Sequence, residues 1–328
     1  MHAVARLVTG VVLLLAVPLA IGAEQPGKTY RVAYLAAAPR SSNQVLLAQF
    51  QQGMRELGYF EGRNLVLETR FAEGKLERLP TLAQELVQLK PDVVFVSTTP
   101  GALAAKAATP TIPIVFVAVA DPVGSGLISN LARPDGNVTG VTHIVAELTG
   151  KRLELLKEIV PSASRIAVLV NPEDPNATAQ IRNAEAAARG LGVQLQPMLT
   201  VRGASDLERA FEAILRSGAA AALRMVDPTV DPLRARTVEL AARHRLPMMF
   251  AFRNDVESGG LVAYGANLPA QFRQAATFVH KILRGARPGD LPIEQPTKFE
   301  LVINLKTAKA LGLAIPPSLL GRADQVIQ

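Results

Sequence analysis

The chain contains no cysteine and no tryptophan, and it has only four tyrosines. Without cysteine, disulfides, thiolate metal sites, thiol redox chemistry and lipid attachment through an N-terminal cysteine are excluded. Sugar sites often stack rings on aromatic side chains, so the shortage of aromatics favours another ligand class. A large core is still expected, because 49% of the 328 residues are apolar, enough for two domains of ordinary size.

Motifs of common enzyme and cofactor sites are absent as well. The sequence has no H-E-x-x-H helix, no G-x-S-x-G elbow and no Walker A loop. The first apolar run continues into residues 36–39, which read A-A-A-P and lack the glycines of a dinucleotide-binding turn. We therefore predict a protein that is not an enzyme and that has no cofactor and no metal.

The net charge of +7 comes from basic residues that are scattered among acidic ones. No basic run and no interleaved aromatic pattern of a nucleic-acid interface occurs. The charge pattern is typical of a solvated surface, and we expect no nucleic-acid partner.

The N-terminus has the order of a secretory signal peptide. Arg6 is the only charged side chain in the first 23 residues, and an almost wholly apolar run from Leu7 to Ile21 follows it. Gly22 and Ala23 supply small residues for cleavage. The run is short for a bilayer span of about 20 residues. We expect residues 1–23 to be removed, although an uncleaved anchor helix is the alternative.

Two pairs of apolar segments recur along the chain at one common offset. Residues 31–35 and 165–169 share the pattern R-[VI]-A-x-L, and residues 112–116 and 246–250 share [IL]-P-x-x-F. Short apolar runs of this kind are typical of buried parallel strands. The two coincidences predict two similar α/β units in tandem, with the functional site in the cleft between them.

Strand-like runs alternate with amphipathic helical patterns, which predicts parallel sheets with right-handed crossovers. After the second unit, residues 259–265 are predicted to be a short edge strand, residues 268–283 a long helix and residues 299–303 a further strand. Pro316 and Pro317 predict an irregular tail.

Several predicted strands end in a polar residue followed by proline. The pairs are Thr99-Pro100, Asp121-Pro122, Asn171-Pro172 and Asp227-Pro228. Such pairs favour helix starts, so helix capping alone would explain them. The same geometry also directs free N–H groups and positive partial charge towards a cleft, which suits an anionic or zwitterionic ligand.

Longer phrases in the chain resemble a known family. They are R-E-L-G-Y at 55–59 with E-G-R-N at 61–64, I-P-I-V-F at 112–116, D-P-V at 121–123, G-N-V-T-G at 136–140, and Q-P-T-K-F-E-L-V-I-N-L-K-T-A at 295–308. Together they closely resemble the ABC-transporter substrate-binding family, whose few characterised members include tryptophan- and tyrosine-binding proteins. The resemblance covers almost all of the chain beyond the predicted signal peptide.

The resemblance implies a type I periplasmic binding fold. In this α/β fold, two doubly wound Rossmann-like lobes are joined by a multi-strand hinge. We expect lobe one at 28–142 plus 251–287 and lobe two at 143–250 plus 288–328. Residues 135–142 and the segment after Phe250 are expected to be hinge strands, which absorb backbone rotation.

The resemblance also implies a role as the periplasmic solute-binding component of an ABC importer. Gram-positive relatives are lipoproteins anchored by cysteine, and this chain has none, which implies a soluble protein of a Gram-negative periplasm. The expected partners are a small-molecule solute and an ABC permease in the inner membrane, and the protein is expected to be a monomer. An amino-acid-like solute or a small carboxylate is favoured.

By the geometry of that family, ligand contacts come from loops after the strands. Thr98 and Thr99, with a helix N-terminus behind them, are expected to hold a carboxylate. Asp121 or Asp227 is expected to take an ammonium group through a charge-assisted hydrogen bond. The complete set of expected ligand-binding residues is Ser41, Ser42, Thr98, Thr99, Ala118 and Asp121 in lobe one, and Asn171, Asp227, Arg253 and the ring of Phe252 around lobe two.

Alternatives remain open from the sequence. Arg253 could belong to a surface or hinge ion pair, since most arginines are exposed. A sensory subunit that presents its bound ligand to a membrane receptor would use the same clamp. An enzyme on this fold is a further alternative, because folds do not fix functions.

Overall fold

The computed structural model describes residues 28–134, 136–228 and 230–328; the predicted signal peptide and Asp135 lie outside the described residues. The first lobe is built on a parallel sheet of five strands. They are β1 (Tyr30–Ala36), β2 (Leu65–Phe71), β3 (Val93–Ser97), β4 (Ile114–Val119) and β5 (Val138–Thr142). Their order in the sheet is β2-β1-β3-β4-β5.

The second lobe contains a sheet of seven strands. They are β6 (Arg165–Val170), β7 (Gln194–Thr200), β8 (Ala221–Arg224), β9 (Met248–Phe250), β10 (Val262–Ala266), β11 (Phe299–Asn304) and β12 (Gln325–Ile327). Their order is β12-β11-β10-β9-β8-β6-β7, and β11 runs antiparallel to β10. The order β7-β6-β8-β9-β10 reproduces the order of the first sheet.

Helices cover both faces of each sheet. Those before the second repeat are α1 (Arg40–Glu56), α2 (Leu79–Gln88), α3 (Thr99–Ala108) and α4 (Val145–Ile159). The remaining helices are α5 (Ala177–Leu191), α6 (Ala204–Ser217), α7 (Arg234–Arg243), α8 (Arg253–Glu257), α9 (Leu268–Leu283), α10 (Leu305–Ala310) and α11 (Pro317–Leu320).

Each sheet has an apolar core on both faces. The continuous apolar runs of β1, β3 and β4 are buried because helices cover both faces of a parallel sheet. A small fifth cluster joins the lobes and contains Ala120, Val145, Val226, Ala251 and Phe252. This cluster packs the lobes against each other beside the cleft.

The predicted fold class of two doubly wound α/β lobes is confirmed. The repeated segments occupy equivalent places, since β1 and β6 lie second from one edge of the repeated strand order, and β4 and β9 lie two places further in. The patterns therefore identified equivalent interior strands of the two sheets.

The chain passes between the lobes three times. It crosses between β5 and α4, between β10 and α9, and between Glu294 and β11. Helix α9 belongs to the first lobe, where Phe272 and Phe278 join its core, and Ile293 packs there as well.

The observed crossings differ from the predicted boundaries. The segment 251–287 was expected in lobe one, but α8 and β10 within it belong to the second lobe, and β10 pairs with β9 and β11. Residues 259–265 were therefore wrongly predicted to form an edge strand. The tail after Pro316 is not irregular, because it contains α11 and the true edge strand β12. Hydropathy identifies buried strands, but it does not specify which sheet a strand joins.

The buried Arg152 links two of the crossings. Its Nε donates to the carbonyl oxygen of Tyr264 at 2.7 Å, and its Nη1 donates to that of Val145 at 3.1 Å. Gly265 lets this region pack closely, because a Cβ there would lie 2.1 Å from the carbonyl oxygen of Ala251. The second-lobe ends of both crossings are thus held together.

Candidate ligand site between the lobes

A cavity of about 80 Å³, here called the interlobe cavity, lies between the two lobes. The first lobe lines it with the start of α1, with the loops after β1 and β3 and with the end of β4. The second lobe lines it with the loops after β6 and β8 and with the start of α8. The carboxyl ends of parallel strands form this edge in both lobes, which is where open α/β sheets bind ligands.

Five of the ten residues predicted to bind ligand line the interlobe cavity. Ser42 and Phe252 come from the starts of α1 and α8, and Ala118 comes from the end of β4. Thr98 and Thr99 lie at the start of α3. The structure thus brings these residues together from both lobes, and their ligand contacts remain a prediction.

The backbone of the lobe-one wall is strained at the cavity. Thr98 has φ 69° and Ala118 has φ 57°, and Ile144, between two lining residues, has φ 35°. Positive φ values disfavour side chains with a Cβ, and residues in such conformations cluster at functional sites. The Oγ1 of Thr98 is buried without a hydrogen-bond partner among the described residues. It is therefore available to a ligand.

Asp174 and Asn176 form the opposite wall, in the turn after β6. The Oδ1 of Asp174 accepts hydrogen bonds from the backbone N–H and the side-chain Nδ2 of Asn176, both at 2.9 Å. The Oδ2 is buried and has no partner in the part of the chain that is described. Burial raises the pKa of Asp174 to about 7, and the carboxylates of Asp227 and Asp231 add to the effect. A cationic group of a ligand would restore the carboxylate's charge.

Sequence reasoning missed Asp174, although it named Asn171 in the same loop. Both residues follow β6 and flank prolines, so the polar-proline pattern pointed to the loop, in which Asp174 and not Asn171 lines the cavity. The side chain of Asn171 turns inwards, and its Oδ1 accepts from the backbone N–H of Glu173 at 3.1 Å. Sequence spacing did not show which carboxylate faces the cavity.

An apolar wall closes one side of the interlobe cavity. Phe252 stacks on His143 with ring centroids 6.2 Å apart and planes 7° from parallel. Burial and, to a smaller extent, the nearby Arg152 guanidinium lower the pKa of His143 to about 3, so the imidazole is neutral. Leu46, Leu268 and Phe272 extend this apolar surface. It suits a hydrocarbon or aromatic part of a ligand.

A buried ion-pair network supports the lobe-two wall. The Nη2 of Arg224 lies 2.8 Å from the Oδ1 of Asp255, and its Nη1 lies 3.1 Å from the Oδ1 of Asp231. The Nε of Arg234 donates to the same Asp255 oxygen at 3.1 Å. Burial raises the pKa of Asp231 to about 6, although Arg224 favours its ionised form. Asp231 and Arg234 line the cavity, so the network fixes charged groups at its edge.

The other predicted residues lie outside the lining of the interlobe cavity. The Oδ1 atoms of Asp121 and Asp227 accept from the backbone N–H groups of Gly124 at 2.7 Å and Val230 at 3.0 Å. These bonds and the similar one of Asn171 are turn caps, the alternative left open by the sequence. Arg253 pairs with Glu300 at 3.1 Å, and Ser41 is exposed at the start of α1; both line a neighbouring cavity.

Residues 40–327 match the family model described as ABC transporter substrate binding protein. The chain belongs to this family. Its structure is similar to that of a conserved domain protein from Vibrio cholerae O1 biovar El Tor, with 31% sequence identity and a TM-score of 0.85, covering 91% of this chain and 100% of that one. The predicted family and the prediction of a binding protein, not an enzyme, are confirmed.

Two further relatives have described ligands. The ABC domain in complex with L-Trp from Streptococcus pneumoniae is 26% identical with a TM-score of 0.84, covering 92% of this chain and 100% of that chain. A tyrosine-binding protein of Clostridioides difficile (strain R20291) is 27% identical over 80% of this chain and 75% of its own length.

The described residues contain neither a metal cluster nor a membrane-spanning helix. No group of three or more histidine, aspartate or glutamate side chains within them has the arrangement of a metal site. No helix within the same residues has the length and apolar character that crossing a bilayer requires.

Proposed function

We propose that this substrate-binding protein captures an amino-acid-like solute for an ABC importer. The observation that carries this proposal is the pairing of opposite charges across the cleft. The N-terminus of α3 presents backbone N–H groups and positive partial charge from lobe one. Asp174 presents a buried, unpartnered carboxylate oxygen from lobe two within the described residues. A zwitterion satisfies both.

The two walls are close enough for one small ligand. Thr99, the first residue of α3, has its Oγ1 3.5 Å from the side chain of Asn176, which bonds Asp174. In the proposed complex the ligand carboxylate meets Thr98 and the start of α3, and its ammonium meets Asp174. Asp174 thus takes the role that the sequence suggested for Asp121 or Asp227. The side chain lies against Phe252 and Phe272.

The relatives support the ligand class. One is described with bound L-Trp and another as tyrosine-binding, and both are similar to this chain over most of its length. An apolar wall beside a zwitterion site is the arrangement that such ligands need. The proposal for this chain therefore names the class of ligand, and the ligand's own side chain is to be identified by experiment.

Capture is proposed to work by closure of the lobes. The direct contact of Thr99 with Asn176 corresponds to a closed cleft. The ligand favours that form because it touches both walls only when they meet. The proposed setting is the periplasm, after removal of residues 1–23, where the monomeric closed form is recognised by an inner-membrane permease.

The test is a thermal-shift screen of residues 24–328 with L-amino acids, small carboxylates, sugars and nucleosides. A ligand at about 100 times its dissociation constant adds ~2.7 kcal/mol of stability, which raises Tm by a few degrees at this size. We expect L-amino acids to shift Tm, and their methyl esters, which lack the carboxylate, to shift it far less. A response to sugars or nucleosides alone would overturn the proposed ligand class.

A further inference from the structure

A second cavity of about 250 Å³, here called the second chamber, adjoins the interlobe cavity. The two share six lining residues, which therefore form the boundary between them. The shared residues are Ser42, Leu46, Arg234, Phe252, Asn254 and Leu268. The second chamber has about three times the volume of the interlobe cavity, about 250 Å³ against about 80 Å³, so it offers room for a ligand that extends beyond the interlobe cavity.

The boundary between the two spaces has both apolar and polar side chains. Leu46, Phe252 and Leu268 are shared and continue the apolar wall of the interlobe cavity. The second chamber is also lined by charged groups, among them Arg253 and Glu300. A ligand that extends from the zwitterion site into the second chamber therefore has apolar surface and polar groups within reach.

Two polar side chains stand at the boundary itself. The Oδ1 of Asn254 is a buried acceptor with no hydrogen-bond partner within the described ranges. Arg234, which lines both spaces as well, supplies a donor and is held in place by its Nε bond to Asp255. A buried acceptor left without a donor is unfavourable, so a ligand that supplies a donor here gains affinity. An amide group supplies an N–H for Asn254 and a carbonyl for Arg234.

We propose that the site is built for an amino acid whose side chain has an apolar stem ending in an amide. This inference rests on the proposed function, because the zwitterion site anchors the head of the ligand. The methylene stem lies along Leu46, Phe252 and Leu268. The amide sits between Asn254 and Arg234, and any group attached beyond the amide enters the second chamber.

The probe is Nε-acetyl-L-lysine, which has a zwitterionic head, a four-methylene stem and a terminal amide. Its comparison compound is L-norleucine, which has the same head and an apolar side chain without the amide. Isothermal titration calorimetry on residues 24–328 gives both dissociation constants. We expect the acetyl-lysine to bind about tenfold more tightly, the gain of one hydrogen bond to a buried acceptor.

Two variants test the position of the amide, each with a control on the exposed face of α1. Asn254→Leu removes the acceptor and is expected to bring the affinity ratio close to one. Gln44→Leu makes the same change at a residue that lines neither space and leaves the ratio at about ten. Val45→Trp narrows the second chamber and weakens only the acetyl-lysine, whereas Ala48→Trp, outside both linings, weakens neither.

The outcomes separate this inference from the proposed function. Equal or tighter binding of norleucine to the unchanged protein would overturn the inference and leave the zwitterion site standing. An undiminished preference in both Asn254→Leu and Val45→Trp, each shown to be folded by its melting curve, would overturn it too. If no free amino acid binds at all, the proposed function fails first.

Discussion

Thr99 of lobe one and Asn176 of lobe two meet across the cleft, with the Oγ1 of Thr99 3.5 Å from both the Oδ1 and the Nδ2 of Asn176. The same hydroxyl lies 3.4 Å from the backbone N–H of Ala120. One short side chain therefore links the ligand loop of the first lobe, the end of β4 and the opposite wall. The contact with Asn176 forms only when the lobes are together.

Thr99→Val tests this contact, because valine keeps the shape of threonine and removes the hydroxyl. We expect the dissociation constant of the amino-acid ligand to rise about threefold to tenfold, since the closed form loses about one hydrogen bond. Thr111→Val, on a turn remote from the cleft, is the control. X-ray scattering with saturating ligand should still show the closed form, and an unchanged affinity would mean that the contact does not favour closure.

Asp174→Asn tests the charge that we assign to the ligand's ammonium group. Losing a charge-assisted hydrogen bond at a buried site corresponds to about 1.5–3 kcal/mol, so we expect affinity to fall by roughly tenfold to a hundredfold. Asp121→Asn changes an acid that caps a turn outside the cavity, and its affinity should remain within a factor of two. If the two variants bind equally well, the ammonium is not held by Asp174.

The same substitution gives a pH-dependent change in the stability of the ligand-free protein. Burial raises the pKa of Asp174 to about 7, above its ordinary value of 3.8. The stability contributed by the protonated form is fully present below about pH 4 and is lost as the pH rises through about 7. Asp174→Asn should therefore raise Tm at about pH 8 and change it little at about pH 4.

Asp206 is the control, because its pKa is lowered where that of Asp174 is raised, so its effect on stability has the opposite pH dependence. The backbone N–H of Arg202 and the side chain of Arg209 lower the pKa of Asp206. Its contribution to stability is present above the ordinary pKa and is lost as the pH falls through the lowered value. Asp206→Asn should lower Tm at about pH 8. A loss of stability in Asp174→Asn at that pH would contradict the assigned environment.

Arg224→Met tests the buried network behind the cavity. The substitution leaves Asp255, which is wholly buried, with Arg234 alone. Breaking a buried pair by removing one partner costs about 3–5 kcal/mol. Arg216→Met removes an exposed arginine whose Nη1 lies 3.7 Å from Glu212, and it should change stability by less than about 0.5 kcal/mol. Chemical denaturation of the two variants makes the comparison, and similar midpoints would argue against a structural role for the network.

Gly265→Ala tests the close packing at the second crossing. A Cβ at this position would lie 2.1 Å from the backbone oxygen of Ala251, so β10 would have to move away from β9. Overpacking of this kind costs about 1–3 kcal/mol or more. Gly190→Ala, in the last turn of α5 where an added Cβ meets open space, should instead stabilise by up to about 0.5–1 kcal/mol. Equilibrium unfolding distinguishes the two, and equal effects would contradict the packing argument.

The local patterns predicted the fold well. The helix predicted at 268–283 has the observed bounds of α9, because its apolar spacing and the Asn267 cap both define them. The repeated segments identified interior strands of both sheets, whose continuous apolar runs require burial on both faces. The lobe of α8 and β10 was predicted wrongly, since the chain returns between lobes through tertiary contacts that no local pattern records.

The site was harder to predict than the fold. Polar residues before proline are recognisable, but Asp121 caps a turn whereas Asp255, at the equivalent repeat position, is buried between two arginines. The direction of a carboxylate depends on neighbours that are distant in sequence. Asp174 could be recognised as a candidate ligand-binding residue only after the structure showed both its burial and its unpartnered oxygen.

The two bonds of Arg152 bear on how the cleft can open. Both hydrogen bonds come from the same guanidinium. The connecting segments before Val145 and after Tyr264 are therefore held in a fixed position relative to each other where they leave the second lobe. Relative motion is then confined to the few residues between Thr142 and Val145, between Ala266 and Leu268, and between Glu294 and Phe299 at the third crossing. Two of these three short pivots are fixed side by side, which favours rotation about one axis. We therefore expect the cleft to open by rotation about a single hinge axis, with little twist or sliding of one lobe over the other.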